Sequence, residues 1–340
     1  MRVPWTDCRN PVTHIREWGC VFSSRYISDE MKAFVGVTDH DWFTTLSAMP
    51  EIDEVNFWQP SGSSQFRALN PGELFLFKLH SPLNFIVGGG FFAHSNIFPV
   101  NLAWDAFGKK NGALSLDDMR KRIEKYRRVD SSSNSDYQIG CILLAQPFFF
   151  SRSEWIPIPH DWSQNIVRGK GYDLKTDVGM LLWKDVYNRL QMKNTATPDV
   201  LTIADRMRRY GEPTVIIPRL GQGSFRIMVT DVYQRRCAVT RERTLPALEA
   251  AHIKPYNDSG PHDIRNGVLL RSDIHKLFDT GYVTISPKYH FEVSRRIKEE
   301  FENGRDYYAL HGRQIQLPSM KSYWPDNNYV GWHNENIFRG

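Results

Sequence analysis

One stretch near the C-terminal third limits what the chain can fold into more than any other: Leu248-Glu-Ala-Ala-His-Ile-Lys-Pro-Tyr-Asn-Asp-Ser-Gly-Pro-His-Asp-Ile-Arg-Asn-Gly-Val-Leu-Leu-Arg-Ser-Asp-Ile-His-Lys-Leu-Phe-Asp279. An apolar run ends in His252, a loop dense in Pro, Gly, Asn and Asp follows, Asn266 introduces a second apolar run, and a helical pattern then carries His275. These runs predict the order strand, loop, strand, helix, with a polar side chain near each junction. A single histidine closing an apolar strand is more often a satisfied structural group than a functional one. The ordered set is harder to attribute to packing, so it is read together as a site.

Hydrolysis of a phosphodiester needs a base to activate water, a cation to absorb charge on the phosphate and leaving oxygen, and a frame holding both. His252, beside Ala250, Ala251 and Ile253, supplies an imidazole titrating near neutrality and is assigned the general base. The amide of Asn266 is assigned to bridging backbone groups, pinning the loop and orienting the imidazole. His275 and Asp279 lie one helical turn apart, where an imidazole and a carboxylate project from one face and make a divalent cation site. One magnesium ion is the economical occupant, with manganese or a similar divalent as a substitute. Asp279 also stands before Thr280-Gly281, where its competing duty is to close the helix.

Through Ala251-His-Ile-Lys-Pro, Arg265-Asn-Gly-Val-Leu-Leu-Arg and Asp273-Ile-His-Lys-Leu-Phe-Asp, residues of about 215–318 resemble the HNH family of ββα-metal nucleases. That family includes homing endonucleases, colicin DNases and the HNH domains of CRISPR effectors, and the whole chain is similar to HNH restriction endonucleases. The resemblance implies that His252 is the general base, Asn266 the central asparagine and His275 the final, metal-binding histidine. Many members place an acidic residue or a histidine ligand just before the base, where this chain has Ala251. Another group must complete the shell. Asp279 is the first choice, because a ligand one turn after the final histidine also occurs in colicin-type sites. Glu249 is the second, since on a strand it shares a face with Ala251. His262 and Asp263 are assigned to the loop, Cys237 to the core, and Lys254 and Arg271 either touch phosphate or face water.

A length of 340 residues suits two domains, and 41% hydrophobic with 24% charged residues is a globular composition. The four cysteines are scattered without a Cys-x-x-Cys pair, which argues against a disulfide framework and against structural zinc. The net charge of +5 permits a polyanionic partner without requiring one. No long apolar run or signal-like N-terminus is present, so a cytoplasmic location and no membrane partner are expected.

The expected class is α+β, with a recognition domain over 1–192, a linker over 193–212 and the nuclease domain over 213–340. Val55 to Pro60, Leu74 to His80 and Asn84 to Phe92 read as strands, and Leu116, Met119, Ile123 and Tyr126 as one face of a basic helix. A second helix is expected to bury Leu181, Leu182, Val186 and Leu190. The tail from Asn327 to Phe338 is expected to pack back on the nuclease domain. Through Asn56-Phe-Trp-Gln-Pro, Leu69-Asn-Pro-Gly-Glu-Leu-Phe-Leu-Phe-Lys and Ile86-Val-Gly-Gly-Gly-Phe-Phe, residues of about 50–170 loosely resemble the PUA-like superfamily of EVE, YTH, ASCH and SRA domains. The resemblance implies a small β-barrel that binds a modified or flipped base, with Asn56, Trp58, Phe91, Phe92, Trp104 and Asp105 as candidate walls and edges. Alternating strand positions also predict core aromatics, so each of these has a packing alternative. The Gly-rich stretch Asn165 to Tyr172 is either a phosphate contact or a surface turn.

The combined expectation is a metal-dependent endonuclease acting on double-stranded DNA that carries a modified base. A homodimer would supply the two nuclease domains that paired cuts require. The alternatives are an effector nuclease whose N-terminal domain senses a nucleotide signal or RNA, and a non-catalytic DNA-binding module. The last is disfavoured by the presence of all three of His252, Asn266 and His275.

Overall fold

The run Leu74-Phe-Leu-Phe alternates two kinds of apolar side chain, and successive strand residues point to opposite faces. The computed structural model describes residues 31–127, 136–192 and 219–340; the opening segment and the expected linker lie outside them. The N-terminal part runs β1 (Lys32–Thr38), α1 (His40–Ser47), β2 (Glu54–Gln59), β3 (Leu74–Leu79), β4 (Phe85–Pro99), α2 (Val100–Phe107), α3 (Leu116–Glu124), β5 (Gln138–Phe149), β6 (Ile156–Pro157), β7 (Gly169–Asp173) and α4 (Asp177–Met192). The strands form one mixed sheet in the order β2-β5-β4-β3-β1-β7, with β6 beside β4 and only the β1–β3 pairing parallel among the described residues.

Leu74 and Leu76 pack with Val35 and Ile86 against Leu182, Trp183, Val186 and Leu190 of α4. Phe75 and Phe77 pack on the opposite face with Phe57 and Val87, beneath Trp42, Phe43 and Leu46 of α1. With both faces covered, β3 is buried along its whole length. A further cluster joins Ala103 and Phe107 of α2 and Met119 and Ile123 of α3 to Cys141 and Leu143 of β5.

The α+β class and the large N-terminal sheet are as expected, and three details differ. The end strands β2 and β7 are not hydrogen-bonded to each other, so no closed barrel forms among the described residues. Leu181, placed on the buried face of α4, is 59% exposed, and Trp183 packs in the core instead. The Gly-rich stretch near Lys170 contributes the edge strand β7, paired with β1.

The C-terminal part runs α5 (Gln222–Val232), β8 (Leu248–His252), β9 (Gly267–Arg271), α6 (Ser272–Asp279), β10 (Val283–Ile285), β11 (Phe291–Val293), α7 (Arg296–Phe301), α8 (Arg305–Tyr308) and α9 (Asn327–Asn336). Strand, loop, strand and helix therefore follow in the expected order. Phe225 and Val229 of α5 share a core with Leu248, Ala251, Val268, Leu270, Ile274 and Phe278. Ile227 of the same helix packs instead with the α2–α3 cluster, so α5 belongs to both cores. Two glycines permit this fit: a Cβ at Gly223 would meet the Ala106 carbonyl at 2.5 Å, and one at Gly267 would meet Val229 at 2.4 Å.

The tail returns to the domain as α9. His333, 2% exposed, donates from Nε2 to the Phe278 carbonyl at 3.1 Å and accepts at Nδ1 from the Thr284 hydroxyl at 2.8 Å. Its ring also lies flat on Phe278, with centroids 3.8 Å apart. Burial holds its pKa down to about 4, from an ordinary value of 6.5. The unfolded chain therefore takes up this proton before the native one as pH falls. The stability at stake is intact above 6.5 and is lost towards about 4, with a limiting slope of ~1.4 kcal/mol per pH unit. Urea unfolding at about pH 7 and about pH 5 should show that loss, and His333→Phe should flatten the dependence.

Candidate nuclease site

β8 and β9 pair antiparallel, which sets His252 opposite Gly267 at one end of the hairpin. Because Gly267 has no side chain there, α5 approaches closely, and the Phe225 ring lies flat against His252 with centroids 3.8 Å apart and planes 13° apart. Nε2 of His252 is 2.9 Å from Nδ1 of His262, whose own ring stacks on Tyr256 at 4.6 Å. Burial first, then the charges His262 and His275 carry when protonated, lower the His252 pKa to about 4. The ring is therefore neutral around pH 7, as an acceptor of a proton must be.

Asn266 is fully buried and all its side-chain bonds go to the loop. Its Oδ1 accepts from the Lys254 N–H at 2.8 Å, and its Nδ2 donates to the Lys254 carbonyl at 2.9 Å and the Pro261 carbonyl at 3.0 Å. One amide thus ties both ends of the loop that begins at His252. His275, on α6, faces carboxylates on both edges: Nδ1 is 2.6 Å from Glu249 Oε2, and Nε2 is 3.3 Å from Asp279 Oδ2. Burial opposes its charged form, yet the hydrogen bonds and charges of Asp279 and Glu249 raise its pKa above the ordinary value.

Residues 237–286 match the family model described as HNH endonuclease. This stretch is an HNH endonuclease domain. It makes the protein a nuclease, and HNH nucleases work with a divalent metal. The chain matches no curated protein sequence. Among solved structures, an ASCH protein from Zymomonas mobilis is 11% identical and covers 45% of this chain and 94% of its own, with a TM-score of 0.31. A modification-dependent restriction endonuclease, TagI, is 11% identical and covers 88% of this chain and 81% of its own, with a TM-score of 0.28. No helix among the described residues is long and apolar enough to cross a membrane.

The donor set of the HNH domain can be tested against a small divalent cation. No three His, Cys, Asp or Glu among the described residues converge as a ready metal cluster. The reason is geometric: His275 separates Glu249 from Asp279, one at each ring nitrogen. Nε2 of His275 and Oδ2 of Asp279 face each other at a distance two ligands of one cation can have, and a magnesium-like ion takes its remaining positions from water and phosphate. Carboxylates at both ring nitrogens favour the protonated imidazole, and a cation at Nε2 would compete with the proton there.

Sequence reasoning missed the residues that join this site to the N-terminal sheet. Glu54, the first residue of β2, is wholly buried and accepts from the backbone N–H groups of Gly223 and Ser224 at 2.8 Å each. A carboxylate at the start of α5 meets unpaired donors and the positive end of the helix dipole together. Lys110 Nζ lies 3.3 Å from Glu54 and 2.5 Å from Asp53. Further bonds run from His94 and Asn96 of β4 to Asp231 of α5, and from Arg226 to the Asp105 carbonyl at 3.1 Å. The only signal for Glu54 was a charge at the head of the strand-like run Val55-Asn-Phe-Trp-Gln. Nothing in spacing singled out His262 or Phe225.

The N-terminal candidates do not meet in one pocket. Asn56 is fully buried and donates to Asn111 Oδ1 at 2.9 Å, and Trp58 donates to the Asn111 carbonyl at 2.9 Å. Phe91 is 1% exposed within the core under α4, Phe92 is buried on the α1 side, Trp104 is half-buried and Asp105 is exposed. A cavity of about 310 Å³ lies elsewhere, between the start of α1, the β3–β4 turn and the end of α3. Asp39, His40, His80, Arg122, Lys125 and Tyr126 are among its lining residues. The Tyr126 hydroxyl donates to Asp39 at 2.5 Å, and the rings of His80 and Tyr126 are within 10° of parallel. Of the basic candidates in the HNH domain, Arg271 is paired with Asp273 at 2.6 Å and Lys254 lies over the Trp332 ring.

Glu54→Ala leaves two buried N–H groups unpaired and strips Lys110 of one partner, and is expected to cost about 3 kcal/mol. Denaturant unfolding measures that loss. Because α5 carries Phe225, nuclease activity should fall with it even at temperatures where the variant remains folded.

Proposed function

We propose that the protein is a metal-dependent DNA endonuclease that acts on DNA containing a modified base. The observation that carries the nuclease half is the joint placement of His252, neutral and stacked on Phe225, with the facing pair His275 and Asp279. His252 takes the proton of the attacking water, and Asn266 holds the loop so that the ring keeps its place. His275 and Asp279 would hold a magnesium or manganese ion, which would supply positive charge to the phosphate and the leaving oxygen. Glu249, at the far ring nitrogen of His275, sets which nitrogen faces the cation.

The modified-base half draws on the N-terminal cavity rather than on the buried Asn56 and Phe91. A flipped base needs flat rings to stack on and polar groups for its edge, and phosphate needs cations nearby. His80 and Tyr126, Asp39, and Arg122 with Lys125 supply those three chemistries around one volume of about 310 Å³. The PUA-like resemblance of the sheet agrees with this reading. A cavity holding both carboxylates and cations would also suit a free nucleotide, which is the effector alternative.

One assay separates these readings. Plasmids that are unmodified, methylated, hydroxymethylated or glucosylated are incubated with the protein and magnesium or manganese, with and without added nucleotides. Cleavage of one modified form alone is expected, whereas equal cutting of all four would overturn the modified-base half, and cutting only after a nucleotide is added would select the effector. His252→Ala should lower cleavage by about 100-fold or more; full metal-dependent activity in that variant would remove His252 from its role. Tyr126→Ala should erase the preference among plasmids while leaving unfolding of the HNH domain unchanged.

A further inference from the structure

We propose that His262 is a positioning residue of the nuclease, holding the base His252 with Nδ1 turned to the substrate and answering the charge that forms there. The proposal rests on the endonuclease reading above. His252 is held on two sides: its face lies on Phe225, 3.8 Å between centroids, and its Nε2 is 2.9 Å from His262 Nδ1. That leaves Nδ1 as the one ring nitrogen without a partner among the described residues. A neutral imidazole has a single N–H, and a base must present a lone pair. For Nδ1 to be that lone pair, Nε2 must carry the proton and donate it to His262, whose Nδ1 accepts.

The consequence appears when the base acts. The water proton moves to Nδ1 of His252, the electron pair of that O–H bond stays with the attacking oxygen, and the Nε2–H remains in place. His252 is then an imidazolium, and its bond to His262 becomes charge-assisted, roughly twice as strong as a neutral one. The hydrogen bond is thus stronger after proton transfer than before it, which is what differential stabilisation requires. His262 is itself kept in place by the Tyr256 ring, 4.6 Å away and within 9° of parallel. Burial lowers its pKa and keeps the ring neutral enough for Nδ1 to accept, with Lys110 acting in the same direction and the charges of Glu54 and Asp53 opposing it.

A purely structural duty for His262 would duplicate one already filled. The loop from Lys254 to Pro261 is tied at both ends by Asn266, and the stack on Tyr256 needs only a ring, not an acceptor nitrogen.

Two substitutions separate ring from acceptor. His262→Phe keeps a ring for Tyr256 and deletes the acceptor, while His262→Asn loses the ring but restores an acceptor oxygen near the position of Nδ1. With magnesium and the plasmid form that the wild-type protein cuts, His262→Phe is expected to lower kcat by about 10- to 100-fold with KM nearly unchanged and a displaced acid limb of the pH profile. His262→Asn is expected to recover most of that loss. Nitrogen-15 spectra of the His252 ring should show the proton on Nε2 in the wild type and a changed tautomer or exchange in His262→Phe. Wild-type kcat and an unchanged His252 spectrum in His262→Phe would overturn the proposal. If the wild-type protein cuts no plasmid, the endonuclease reading fails, and the nitrogen-15 comparison still decides whether His262 sets the tautomer of His252.

Discussion

The carboxylate of Glu54 at the start of α5 is the contact on which the rest of the site depends. It has no exposure to water and takes two backbone N–H groups of a helix that belongs to the other end of the sequence. A buried charge is retained only where its partners are good, and here a helix terminus and Lys110 supply them. Once α5 is fixed, Phe225 is fixed, and with it the face against which His252 rests. Two contacts, Glu54 on the start of α5 and Phe225 on His252, thus link the N-terminal sheet to His252, although nearly two hundred positions separate Glu54 from His252 in the chain.

Two kinds of constraint hold the HNH domain in shape. Apolar packing of β8, β9, α5 and α6 fixes the backbone, and a small number of fully used polar side chains fix the loops. Asn266 uses its oxygen and its amide nitrogen on one loop, and His333 uses both ring nitrogens to tie α9 to α6 and β10. A buried polar group that is completely satisfied rigidifies its surroundings, whereas a half-satisfied one would cost stability. The domain achieves this without cysteine pairs: Cys237 is free and buried.

Much of this was legible because period and order are carried by neighbouring residues. The alternation in Leu74 to Leu79 announced a strand, and the spacing of Leu116, Met119 and Ile123 announced a helix. The order of His252, Asn266 and His275 marked the stretch that matches the HNH endonuclease model, and Asn266 pins the loop as its residue type suggested. The rest depends on contacts between distant segments, which local pattern does not encode. Glu54 reads as an edge charge until α5 arrives to use it, and His262 reads as a loop residue until the loop folds it onto His252. Phe91 and Asn56 show the converse. An aromatic and an amide on strands looked available for a ligand, but both faces of the sheet are covered, so they are spent on the interior.

The double membership of α5 also separates ancestry from working parts. The segment that matches the HNH family begins at Cys237, after α5 has ended, yet the ring that lies flat on His252 is Phe225. The matched segment is therefore smaller than the set of residues that hold His252 in place. A different N-terminal domain joined to this segment would have to bring its own helix, and its own acid to hold that helix, before His252 had a ring to rest against.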